Sequence, residues 1–365
     1  MINEALLKNE ELAVYKLRSL YSAFGYTQYK MSKFEEYDLY VRNKDFLISD
    51  RVITFTDTNG KLLALKPDVT LSIITNLGKS IDGIHKMYYN ENVYRVSGAT
   101  GKFKEIMQTG LECIGDIGVY ETAEVLYLAI KSLSLTDINF RLEIAHASLL
   151  TELLAANGFK NDIINEVLEA IKIKSSGLTE ALLNAGKINN FQAELISVLC
   201  RNFPDFTAFS DAVISFISGN ACEKLFAEFK DIITSCENEE TKGKIGINFS
   251  LASDAGYYSG IVFKGFINGI PQSVLSGGQY DKLMEKLGNK GGAVGFAVYL
   301  DSFERFGEKK DEYDVDTVLI VTDEDKPAEI LIAAEKIRSM GESVCVARAV
   351  PADLRYRRAV YVEGV

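Results

Sequence analysis

Apolar positions along residues 1–25, MINEALLKNEELAVYKLRSLYSAFG, recur at three- and four-residue spacing with charges between them, which predicts an amphipathic first helix. The period then shortens. Residues 52–55 and 62–65 read as short strands around Thr58-Asn59-Gly60, a hairpin-turn signal. Residues 87–96 and 103–113 alternate apolar and polar side chains as a half-exposed antiparallel pair should, joined by the turn-rich Ser97-Gly98-Ala99-Thr100-Gly101. A helix over 119–133 and a strand over 139–144 follow. From 146 to 234 the pattern is helical throughout, and the polar stretch 235–244 (SCENEETKGK) reads as a surface linker back to the sheet. Strands over 260–268 and 271–275 are predicted to form a hairpin turning at Asn268-Gly269, ahead of a strand at Gly295. The charged run 307–316 marks a boundary, after which 318–321, 328–340, 344–347 and 359–362 read as β, α, β, β.

Composition narrows the function classes. A chain of 365 residues with 47% hydrophobic content can bury a full core and form one large domain with smaller ones attached. Its net charge, 40 minus 51, is −11, which argues against a nucleic-acid partner because phosphates are neutralised by clustered Lys and Arg. The charged first helix is no signal peptide and no apolar run is long enough to span a membrane, so a cytoplasmic protein without a membrane partner is expected. Five scattered cysteines fit reduced thiols, and two histidines, His85 and His146, are too few for a histidine-based metal site. Both histidines are expected to be structural. No Walker A or G-x-G-x-x-G sequence occurs, and neither a metal nor a cofactor is predicted. The Arg355, Arg357 and Arg358 cluster reads as a solvated edge.

Five stretches in order carry a family signal: LALKPDVT (63–70), KMYYNENVYR (86–95), GKFKEIMQTGLECIG (101–115), GYYSGIVF (256–263) with SGGQYD (276–281), and GFAVYL (295–300). Together they resemble the catalytic core of class II histidyl-tRNA synthetases. The resemblance implies an α+β fold, an antiparallel sheet flanked by helices over 1–145 and 245–308. A helical insertion and linker would span 146–244, and a truncated anticodon-binding-like α/β module 314–365. The proline of the family's dimer-forming strand aligns with Ser32, so the homodimer it implies rests on fold analogy.

The same alignment removes much of the ATP chemistry. Activating an amino acid on ATP builds negative charge on phosphate oxygens, which fixed cations stabilise. Arg95 keeps the motif 2 arginine, but Ser97 and Ile106 stand at the adenine-contacting positions. Ser253 replaces an arginine, Gly256 an aspartate, and Asp301-Ser302 the motif 3 glutamate-arginine pair, so two of the pattern's three arginines are gone.

The amino-acid side fares better. By resemblance, Asp68 and Thr70 would grip a ligand ammonium and Arg95 its carboxylate, while Glu112 would accept an imidazole N–H. Gln108 and Glu112, four apart on a strand, share one face, and Tyr257 and Tyr258 would form a wall. A histidine pocket on a dismantled ATP site is similar to the regulatory subunits of ATP phosphoribosyltransferase. That resemblance implies no catalysis by this chain, the short-form catalytic subunit as partner within a hetero-oligomer, and histidine as feedback effector. Two other classes compete: a residual ligase charging a carrier other than tRNA, and a non-catalytic RNA-binding paralogue.

Overall fold

A computed structural model of the chain describes residues 7–43, 52–77, 83–96, 100–135, 139–253, 258–302 and 313–365. The chain divides into two compact units, Met1–Phe306 and Gly307–Val365. The first opens with α1 (Asn9–Ala23), β1 (Thr27–Gln28), β2 (Phe34–Glu36), α2 (Tyr37–Arg42), β3 (Thr54–Thr56), β4 (Leu62–Leu65) and α3 (Thr70–Leu77). The long pair β5 (His85–Val96) and β6 (Phe103–Gly115) follows, then α4 (Val119–Ser134) and β7 (Phe140–His146). Six helices come next, α5 (Ala147–Ala156), α6 (Ile164–Lys172), α7 (Ser176–Asn184), α8 (Asn190–Leu199), α9 (Phe206–Val213) and α10 (Asn220–Cys236). The unit closes with β8 (Ile245–Ile247), β9 (Ile261–Ile267), β10 (Leu275–Gln279), α11 (Asp281–Lys286) and β11 (Gly292–Tyr299).

Eight of these strands form one sheet in the order β1-β5-β6-β11-β10-β9-β7-β8, antiparallel in its middle and parallel only where β1 and β8 join the edges. The register sorts its side chains into transverse rows. Met87, Glu112, Gly295 and Gly278 lie in one, and Tyr89, Gly110, Ala297, Ser276, Lys264 and Glu143 in the next. On the opposite face Tyr88, Leu111, Phe296 and Phe263 pack with Leu17 and Tyr21 of α1 and Leu126 and Leu128 of α4 in the main core. A second buried cluster joins Ala64, Leu71 and Ile74 to Met87, Tyr89, Tyr280 and Met284 beside the first face. That face is closed by other elements instead of by solvent.

The 271–275 strand prediction needs correction. β10 begins at Leu275 and takes in Gly277 and Gly278, the pair whose ordinary reading is a turn. Glycine is required there by packing: a Cβ at Gly277 would sit 2.4 Å from Phe296 Cβ, and one at Gly278 2.5 Å from Tyr258 Cδ1. The 235–244 stretch is mostly exposed and leads into β8, with Cys236 and Thr241 buried as its anchors. Thr241 Oγ1 donates to the Cys236 carbonyl while accepting the Asn238 N–H.

The helical segment shares the main core with the sheet through Phe203, Phe206, Phe209, Phe229 and Phe249, with Phe209 stacked on Phe249 at 5.1 Å. His146 caps α5, its Nδ1 accepting the Leu149 N–H. Burial pushes its imidazole down from 6.5 to about 4, so it is held neutral. In the second unit, β12 (Val315–Ile320) lies between β13 (Val344–Ala347) and β14 (Tyr356–Tyr361), all parallel. The crossover α12 (Pro327–Ser339) packs Ala334 and Ile337 on Leu319. Arg355 and Arg358 are ion-paired, with Asp314 and Glu342.

Candidate functional site

The covered face of the sheet holds a cavity of about 480 Å³ lined by Asp68, Thr70, Tyr89, Arg95, Gln108, Glu112, Tyr258, Lys264, Ser276, Tyr280 and Tyr299 among others. Six of the seven positions expected from the sequence meet here; Tyr257, like Ser97 and Gly256, lies outside the described residues. Each arrives for a backbone reason. Gln108 and Glu112 project from one face of β6, and Arg95 from the same face of its neighbour β5. Asp68 and Thr70 stand at the start of α3, where the Asp68 carboxylate accepts the Leu71 N–H at 2.9 Å and satisfies an otherwise orphaned donor of the first turn.

Glu112 is the electrostatic centre of the cavity. It is 1% exposed, its Oε1 accepts the Thr70 hydroxyl at 2.6 Å, and its Oε2 accepts the Tyr280 hydroxyl. Burial holds its carboxyl well above the usual range; Thr70 opposes that shift and the nearby Asp68 charge adds to it. The row geometry makes room for it, because its cross-strand partner is Gly295. A Cβ there would collide with Glu112 Oε2 and approach the Leu111 carbonyl oxygen to 2.5 Å.

Arg95 is already engaged. Its Nε donates to the Pro67 carbonyl at 2.7 Å and its Nη2 lies 3.5 Å from Asp68 Oδ2, so the arginine braces the loop that presents Asp68. That loop is further tied by Lys66, a wholly buried side chain whose Nζ meets Glu91 at 2.9 Å. Gln108, which lines the cavity, is 2% exposed and its Nε2 has no hydrogen-bond partner among the described residues. The Tyr258 ring lies against Gly278, and Tyr299 shares a hydrogen bond with Ser276 at 2.6 Å. Sequence reading missed Tyr89, Lys264, Ser276, Tyr280 and Tyr299. Tyr89, Ser276, Tyr280 and Tyr299 all lie inside the quoted KMYYNENVYR, SGGQYD and GFAVYL stretches without being singled out, and Lys264 interrupts the apolar run of β9.

A family model described as histidyl-tRNA synthetase matches residues 2–303. The chain belongs to the histidyl-tRNA synthetase family. Among its relatives within that family's reach, an ATP phosphoribosyltransferase regulatory subunit of Clostridium kluyveri is 28% identical over 336 residues, 89% of this chain and 85% of the relative. A structure from Bacillus halodurans, described as an ATP phosphoribosyltransferase regulatory subunit/histidyl-tRNA synthetase, superposes with a TM-score of 0.78 at 22% identity, covering 97% of this chain and 93% of its own. The ATP phosphoribosyl transferase (HisG:HisZ) complex from Thermotoga maritima contributes a chain with a TM-score of 0.63 and 20% identity, covering 80% of this chain and 97% of that one. These likenesses establish the class II synthetase-like fold.

The synthetase family's ATP side reads differently in this member. Asp301, at the end of the motif 3 segment, accepts the Met107 N–H at 3.0 Å and pairs with Lys104 at 2.9 Å. Lys104 is therefore neutralised by a carboxylate that also braces β6. The side chains of Ser253 and Ser302 lie outside the described residues. No group of three or more metal-ligating residues occurs among the described residues, and no described helix is long and apolar enough to cross a membrane.

Proposed function

We propose that this chain is a non-catalytic regulatory subunit of ATP phosphoribosyltransferase that binds histidine in the sheet cavity and passes its presence to the short catalytic subunit. The observation that carries the reading is the asymmetry of the site. The amino-acid side keeps a buried carboxylate with two hydroxyl partners, an open amide donor and aromatic walls, while the phosphate side has serines and a lysine held by Asp301. The name borne by the Clostridium relative supports the same reading.

In this mechanism the imidazole donates an N–H to Glu112 and lies against Tyr258, and the ammonium is accepted by Asp68, whose charge Arg95 and the Leu71 N–H keep in place. Because these groups come from α3, β5, β6 and the segment before β9, a bound ligand ties together elements distant in sequence. For feedback, histidine must bind two assembly states with different affinity; that differential is what inhibition reads out. The chain would act as a homodimer within the hetero-oligomer.

Phosphoribosyl-ATP formation from ATP and phosphoribosyl pyrophosphate tests this, using the organism's short catalytic subunit with and without the chain at zero and saturating histidine. Activity that needs the chain and falls with histidine is expected. If adding the chain changes nothing, the partner assignment is wrong.

A further inference from the structure

The charged groups of the cavity are matched to one another with one exception. Asp68 is paired with Arg95, and Glu112 is held by Thr70 and Tyr280. Lys264 lines the same cavity from β9 and makes no ion pair with any described residue. Its cross-strand neighbour Glu143 stands directly opposite on β7 and pairs through Oε1 with Arg141 at 2.6 Å, while its buried Oε2 has no partner among the described residues and lies outside ion-pair distance of the lysine. On its other side Lys264 faces Ser276, whose hydroxyl is joined to Tyr299, and Tyr299 stands opposite Gln108 with its open Nε2. Two donors without an acceptor among the described residues, one cationic, thus line the same cavity. At the backbone they stand three strand spacings, about 14 Å, and one row, about 7 Å, apart, with the Ser276–Tyr299 hydroxyls between them. A buried donor left open costs stability unless a ligand supplies its acceptor.

We propose that Lys264, aided by Gln108 and the Ser276–Tyr299 hydroxyls, is the seat for the ligand's carboxylate, in place of Arg95. The inference rests on the amino-acid reading of the cavity and deepens it. Arg95 is engaged along its Nε–Nη2 edge with the Pro67 carbonyl and Asp68, so a side-on bidentate grip on a ligand would have to break both contacts. Lys264 needs to break none. It returns a positive charge to the site from a strand position where Ser253 no longer can, and its single-point ammonium suits a carboxylate held at one oxygen while hydroxyls and an amide take the other. The site would select α-amino acids over the corresponding amino alcohols and amines.

Calorimetric titration of the full chain with L-histidine and with L-histidinol, which lacks the carboxylate, tests this in the wild type, Lys264→Met and Lys264→Arg. The wild type should prefer histidine over histidinol by about tenfold or more, the value of a charge-assisted hydrogen bond. Lys264→Met should erase that preference by weakening histidine alone, and Lys264→Arg should restore most of it. Equal weakening of both ligands in Lys264→Met would make the lysine a packing element and overturn the assignment, as would unchanged histidine affinity. A wild-type chain that binds neither ligand refutes the amino-acid reading itself, and this inference with it.

Discussion

Adding a single methyl group at Gly295 is expected to dismantle the cavity from below. In Gly295→Ala the new Cβ falls 2.5 Å from the Leu111 carbonyl oxygen and 2.7 Å from Glu112 Cδ, and it overlaps the carboxylate oxygen that Tyr280 holds. The side chain can swing away from it, but the Leu111 oxygen belongs to the paired strand and cannot. Separating β11 from β6 there is an overpacking strain of about 1–3 kcal/mol. Displacing Glu112, whose carboxyl burial holds toward its neutral form, also forfeits the buried Tyr280 hydrogen bond, about 0.5–1.5 kcal/mol. The sum is about 1.5–4.5 kcal/mol, a fall in Tm of roughly 2–7 °C for the Met1–Phe306 unit. Urea and thermal unfolding measure the stability loss, and calorimetry should find histidine binding abolished. Combining the change with Glu112→Ala should cost less than the two single losses added, because the carboxylate collision is then gone. A Gly295→Ala chain with unchanged Tm and unchanged histidine affinity would refute the reasoning, since Glu112 would then be free to leave its place at no cost.

Three further outcomes are expected. Lys66→Met should destabilise by leaving the partly buried Glu91 without its cation, by less than the roughly 3–5 kcal/mol of a fully buried pair, and Lys66→Met with Glu91→Gln should recover much of it in urea unfolding. His146 is held neutral, with its value pushed from 6.5 down to about 4, so the stability it contributes is present above pH 6.5 and is lost as pH falls from 6.5 toward 4. That loss amounts to about 3 kcal/mol, and His146→Asn, which keeps a capping side chain, should flatten this part of the pH profile. ATP–pyrophosphate exchange with histidine should be absent, because two missing transition-state donors at about 3–4 kcal/mol each remove four to six powers of ten in rate; robust exchange would restore the ligase reading.

The parts of the fold legible in the sequence were those with a local period. The alternation of β5 and β6 set their register closely enough to place Gln108 and Glu112 together, and the helical spacing after His146 marked the α5 to α10 segment. β10 was misplaced because the glycine pair carries two meanings, turn punctuation and room for a neighbour, and only the positions of Phe296 and Tyr258 decide between them. The two-residue β1 and three-residue β8 are too short to show a period. Arg95 illustrates the limit for the site: its presence was readable, but its engagement with Pro67 and Asp68 depends on a loop closing back on β5, which no spacing encodes.

Part of the cavity floor is peptide backbone, at Gly278 and Gly295, with no side chain that could be trimmed. Substitution at those two positions can only subtract volume, so the site cannot be deepened there. Ligand preference is free to drift only through the walls, at positions such as Lys264, Ser276 and Tyr258. Anyone seeking to retarget this chain to a bulkier amino acid would therefore have to widen it sideways, one strand at a time.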